Sequence, residues 1–198
     1  MTSNCYLVVD DESKHCICID PASEKSEREI EYIEQNELVL DYIFLTHEHT
    51  DHTWGVNSLV KRFVNIKVVC SEACKQNLDK EFQAYFLFYY DNPEYHYTVC
   101  HVDETIEELN GFLEWGNYKI VFFSTPGHSM GSICIFIDDM LFTGDAIMQT
   151  KPYINKRNGS KALFYESANK VVETFNPETT VYPGHGHSFQ LRDYYHGN

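Results

Sequence analysis

Short apolar runs, broken by polar clusters and glycines, recur along most of the chain. "NCYLVVD" (4–10) and "HCICID" (15–20) flank the polar "DESK" and predict a β-hairpin. Residues 23–37 carry Ser26 and Glu29 in capping-box spacing, with Ile30 and Ile33 behind them, and predict a helix. "LVLDYIFL" (38–45) predicts a buried strand. Val56, Leu59, Val60 and Phe63 fall on one face of a following helix. "IKVVC" (66–70) predicts a strand and 72–90 a helix, with rings crowded over 82–97. Residues 111–115 and 118–124 flank "GN", a hairpin signal. Residues 132–138 and 140–145 repeat that logic around Asp138 and Asp139. Phe164, Ala168, Val171, Val172 and Phe175 mark a last helix, and "TTVYPGHG" (179–186) a last strand with its loop. Two groups of strands, each followed by helices, predict an α/β fold of two packed sheets with helices outside. The length of 198 residues fits a single domain over 1–198 with a sizeable core.

Charge and composition narrow the function. The formal charge is −15, from 30 acidic and 15 basic residues. A nucleic-acid-binding face is basic, so no nucleic-acid partner is expected. No apolar stretch approaches the ~18–20 residues of a membrane span, so no membrane partner is expected. The start, MTSNCYLVVD, lacks a basic segment followed by a long apolar run, so no secretory leader is expected. Seven cysteines, an odd number with no CxxC pair, read as reduced thiols of a cytoplasmic protein.

The chemistry concentrates in "THEHTDH" (46–52), where His47, Glu48, His49, Asp51 and His52 lie together after the strand "DYIFL". Loops leaving buried strands are where binding residues collect, because the sheet holds them rigidly. In extended backbone His47 and His49 point the same way. Asp51 and His52 begin the next helix and face a second position. Further metal-competent residues each follow a strand and a glycine: His128 in "TPGHS", Asp145 in "TGDA" and His185 in "PGHG". Glycine permits the sharp turn that aims the next side chain inward. Asp20 ends a strand in "ICIDP". Taken singly, each is an ordinary turn residue or cap. Together, seven such residues sit at four strand ends and include five of the ten histidines. Imidazoles with carboxylates suit zinc, iron or manganese.

The order HxHxDH, PGHS, TGDA, PGHG resembles the metallo-β-lactamase superfamily, over nearly the whole chain. The resemblance implies a four-layer αββα sandwich. It implies that His47, His49 and His128 bind one metal ion, that Asp51, His52 and His185 bind a second, and that Asp145 bridges them. Asp20 matches an early aspartate that supports the ligands from behind. It implies two divalent ions per chain, zinc first, with iron or manganese as alternatives.

Within that superfamily the motifs most resemble the hydroxyacylglutathione hydrolase (glyoxalase) type. The function implied is hydrolysis of an ester-like bond in a small molecule, a thioester or a lactone, by a hydroxide bridging the metals. Asp51 and Asp145 are the catalytic carboxylates, and β-lactams are set aside as substrates. Lys151 and Tyr153 are candidates for gripping an anionic substrate, and Phe86 and Tyr89 for lining a lid over an acyl group. Self-association into a homo-oligomer stays open. An alternative, also by resemblance, is a persulfide dioxygenase using one iron held by His47, His128 and Asp145. A nuclease or phosphodiesterase ranks below it, since no basic surface or RNA-gripping arm is visible.

Overall fold

The computed structural model describes residues 3–78, 97–150, 153–154 and 157–194. The first sheet has five strands in the order β1 (Tyr6–Asp10), β2 (His15–Ile19), β3 (Val39–Phe44), β4 (Lys67–Cys70) and β5 (Glu104–Thr105). Only β1 and β2 pair antiparallel; β2 through β5 run parallel. The second sheet has six strands: β6 (Phe112–Trp115), β7 (Tyr118–Ser124), β8 (Ile133–Ile137), β9 (Met140–Gly144), β10 (Thr180–Pro183) and β11 (Phe189–Gln190). It is a meander from β6 to β9, with β10 joining β9 in parallel.

Helix α1 (Glu27–Gln35), the short helices α2 (Thr50–Thr53) and α3 (Val56–Arg62), and a helical segment over 72–78 accompany the first sheet. Helix α4 (Lys161–Thr174) covers the second. Among the described residues no helix is long and apolar enough to cross a membrane.

Side-chain alternation along the strands creates three apolar layers between four structural ones. In β2, Ile17 and Ile19 face the second sheet, while Cys16 and Cys18 face α1 and α3 with Ile33 and Leu59. In β8, Ile133, Ile135 and Ile137 meet Ile17, Ile19 and Phe44 between the sheets, while Cys134 turns to Ala168 and Val171 of α4. Each fully buried isoleucine contributes on the order of 1.5–3 kcal/mol. The buried cysteines act as small apolar fillers. This is the four-layer αββα sandwich expected from the sequence.

Two local expectations differ. Ser26 does not form a capping box: it sits at φ 46°, makes no side-chain cap, and donates to Ser23 O and Gly55 O instead. The helix expected from the Val56 to Phe63 spacing stops at Arg62, with Phe63 already extended. The two turns expected after 115 and 138 do occur, with Gly116 at φ 56° and Asp138 at φ 56°. The very short strands β5 and β11 carry no sequence signal of their own.

Candidate metal centre

The seven candidate residues converge at one end of the sandwich, above the ends of β3, β7, β9 and β10. The first sheet supplies His47, His49, Asp51 and His52 after β3; the second supplies His128, Asp145 and His185. Each of three groups offers ligand atoms within 4.8 Å of one another: His47, His49 and His128; His47, His52 and Asp145; Asp51, His52 and His185. His47 Nε2 lies 3.0 Å from His49 Nδ1, and His128 Nε2 lies 2.8 Å from the same nitrogen. Asp145 stands between the groups. Its Oδ2 is 3.4 Å from His128 Nε2 and 3.7 Å from His185 Nε2, and its Oδ1 is 3.6 Å from His52 Nε2. Asp51 Oδ2 is 3.4 Å from His185 Nε2.

Local backbone explains the aiming. Residues 46–48 form a bend rather than an extended strand, so His47 and His49 converge through that bend, their rings 4.6 Å apart. Gly127 (φ 146°) and Gly144 (φ 49°) take turns that side chains resist, as the sequence suggested. Gly184 is needed for space instead: a Cβ there would stand 2.3 Å from Asp145 Oδ1 and 2.7 Å from His52 Cε1.

Asp20 lies behind the ligands, 2% exposed, at φ 53°. Its carboxylate accepts from Thr46 N–H (2.7 Å), Thr46 Oγ1–H (2.6 Å) and His52 Nδ1–H (2.9 Å). Thr46 Oγ1 is thereby left to accept from His47 Nδ1–H at 3.1 Å. His47 therefore turns an Nε2 lone pair toward the cluster, and His52, held at Nδ1 by Asp20, presents its Nε2 there.

Glu48, between His47 and His49, points elsewhere. It is fully buried and accepts from Ser129 Oγ–H (2.9 Å) and Asn158 Nδ2–H, tying the His128 loop to the segment before α4. The sequence pattern shows Glu48 only as part of the cluster, without this role. His128 Nδ1 is buried without a hydrogen-bond partner among the described residues.

Electrostatics separate the histidines. Burial, reinforced by neighbouring imidazoles, pushes His47 and His128 well below the usual histidine range. Burial takes His49 down to about 4. All three are neutral donors at pH 7. Burial opposes charge on His52 too, but Asp20, Asp145 and Asp51 outweigh it and push its pKa up to about 9. Burial raises Asp145. Burial also works to raise Asp51, yet the His185 contact and the imidazoles carry it well below the carboxylate range.

The residues fit cations. His49 Nδ1 can carry at most one proton, yet two imidazole nitrogens crowd it within 3.0 Å. His52 Nε2 and Asp145 Oδ1 are buried without a hydrogen-bond partner among the described residues, 3.6 Å apart. Buried polar atoms that face each other across such a gap are what metal-coordinating side chains present.

Of the substrate candidates, Tyr153 is 82% exposed and makes no hydrogen bond or ring contact among the described residues. Lys151, Phe86 and Tyr89 lie outside the described residues.

Fold and site together define a double-sheet sandwich whose rim gathers a His/Asp cluster able to hold metal. The chain belongs to the metallo-β-lactamase superfamily: the family's sequence model matches residues 1–185. It is 30% identical over 204 residues to the probable polyketide biosynthesis zinc-dependent hydrolase PksB of Bacillus subtilis (strain 168), covering all of this chain and 80% of that protein. It is 28% identical over 183 residues to a hydroxyacylglutathione hydrolase of Enterobacter sp. (strain 638), covering 90% of this chain but only 59% of that hydrolase. Among solved structures, the B3 metallo-β-lactamase BLEG-1 superposes with a TM-score of 0.81 at 25% identity, covering 96% of this chain and 90% of that one. ETHE1 from Myxococcus xanthus gives 0.73 at 25% identity, covering 97% and 76%.

Proposed function

We propose that the protein is a dinuclear metal-dependent hydrolase of a small molecule with an ester-like bond, first a thioester of the hydroxyacylglutathione kind, then a lactone. The observation that carries this reading is Asp145, whose carboxylate faces His128 on one side and His52 and His185 on the other. One carboxylate placed between two complete ligand groups suits a pair of ions. The similarity to the two curated hydrolases supports the same reading.

Divalent cations held there would polarise a carbonyl oxygen and acidify a nearby water. His47, His49, His128 and Asp145 would hold one ion; Asp51, His52, His185 and Asp145 the other. The chain's own residues prepare the rest. The three neutral imidazoles offer lone pairs without first losing protons. Asp51 is ionised and partly open to the rim, so its carboxylate can accept a hydrogen bond from a water at Oδ2 and orient it. Water would add across the acyl–sulfur bond, and no serine or cysteine nucleophile is needed. Burial raises the thiols of Cys16 and Cys134 to about 12, and those of Cys18 and Cys74 rise as well, which removes them as nucleophiles.

A second reading, a persulfide dioxygenase with one iron on His47, His128 and Asp145, is favoured by the likeness to ETHE1. Elemental analysis of protein purified without chelator separates the two. The hydrolase reading expects two divalent ions per chain and turnover within a panel of thioesters and lactones. One iron with oxygen consumption on a glutathione persulfide selects the dioxygenase. The panel includes a β-lactam, since BLEG-1 shares the fold. Asp145→Ala is expected to lower both metal content and turnover; full turnover with no bound metal refutes the reading.

A further inference from the structure

The segment just before β1 reaches across the molecule to the second ligand group. Asn4 N–H donates to Gly184 O at 2.7 Å. Its side-chain Nδ2 donates to Pro183 O at 2.9 Å and Gly186 O at 2.9 Å. Asn4 thus grips the backbone on both sides of His185. Tyr6 Oη–H donates to the same Pro183 O at 2.6 Å, and Ser3 Oγ–H donates to the backbone oxygen of Asp51. Asp51 and His185, the two residues so held, face each other at 3.4 Å and complete the group with His52.

The chemistry of the grip is specific. Asn4 Nδ2 also lies 3.0 Å from Tyr6 Oη, so three acceptors share its two N–H; the two backbone acceptors are carbonyls, and a primary amide can donate to both where a carboxylate cannot. His185 needs such a hold. It sits between Gly184 and Gly186, which bring no side chains to pack, and its own side chain is 26% exposed. Gly186 has nothing within 4 Å of where a Cβ would be. The other ligand group is anchored by different residues: Thr46 behind His47, and Glu48 with Ser129 beside His128.

We propose that Asn4, assisted by Ser3, is a positioning residue for the second cation subsite, fixing His185 and Asp51 so that they meet. This rests on the two-ion reading above.

The test titrates metal-free wild-type protein, Asn4→Asp and Ser3→Ala with cobalt(II). Two stepwise affinities are measured against a chelator, with the visible cobalt spectrum at each step and the melting temperature of the metal-free form. Asn4→Asp keeps the side chain's shape and replaces the donor by a carboxylate. It is expected to weaken the second cobalt about 10- to 100-fold and to alter the second spectral step, with the first left as in wild type. Ser3→Ala is expected to act in the same direction, more weakly, and carries the test if Asn4→Asp does not fold. Unchanged second binding overturns the inference. So does an equal loss of both ions in step with a lower melting temperature, which marks a merely structural role. A wild-type protein that takes one cobalt overturns the two-ion reading itself, a result separable from either.

Discussion

Replacing Gly184 by alanine tests the placement of Asp145 directly. The added Cβ would lie 2.3 Å from Asp145 Oδ1, where ordinary contact begins near 3.4 Å. The carboxylate must therefore retreat by about 1.1 Å, or the β10 loop must lift by as much. His52 Cε1 at 2.7 Å and the Gly144 carbonyl carbon at 2.9 Å close the other routes. Metal–ligand distances tolerate only about 0.2 Å. A misplacement of about 1 Å at a reacting centre costs on the order of 100-fold in rate, equivalent to about 2.7 kcal/mol. Gly184 is not among the positive-φ glycines, so alanine brings no backbone strain there. Gly184→Ala is thus expected to stay folded while losing metal content and about 100-fold of whatever hydrolytic activity the substrate panel reveals. Gly116→Ala is the control: that glycine sits at φ 56° in the β6–β7 turn, away from the ligands. It is expected to lower the melting temperature, at a cost of roughly 1–2 kcal/mol, with metal content unchanged. Wild-type metal content and rate in Gly184→Ala would refute the assignment of Asp145 to the centre.

Two further outcomes are expected. In metal-free protein His52 carries a raised pKa of about 9 against an ordinary 6.5, so its stabilising contribution is full below pH 6.5 and fades as pH rises through about 9. Asp20→Asn removes a principal cause of that shift, so its melting temperature should fall less steeply over this range; parallel curves for the two proteins would contradict the geometry. Under native conditions a thiol reagent should modify exposed Cys100 first and half-buried Cys5 next, with Cys16, Cys18, Cys70, Cys74 and Cys134 reacting only on unfolding. Early labelling of Cys134, read by mass spectrometry, would contradict its placement beneath α4.

The candidate cluster was legible in the sequence because its residues are short-range signals at strand ends. His47, His49, Asp51 and His52 lie within six residues, across the bend after β3 and the start of α2, and His128, Asp145 and His185 each follow a glycine. The strands were legible because alternation and turn residues are local. What stayed hidden depends on contacts between distant parts of the chain. Ser26 has the spacing of a helix cap, but it donates to Gly55 O, which no pattern in residues 23–37 reveals. Asn4 lies some 180 positions from the loop it grips. Glu48 looked like one more metal-competent residue, and only its contacts with Ser129 and Asn158 show which way it faces.

The division of the seven candidate residues between two sheets has a consequence for what holds the cluster together. The half of the chain ending at β4 owns four of the seven, and the half beginning at β6 owns three. Neither half alone brings the whole candidate set together, since Asp145 of the second sheet meets His47 and His52 of the first. The cluster therefore exists only where the two sheets are packed together, and whatever loosens their shared core loosens the candidate centre with it.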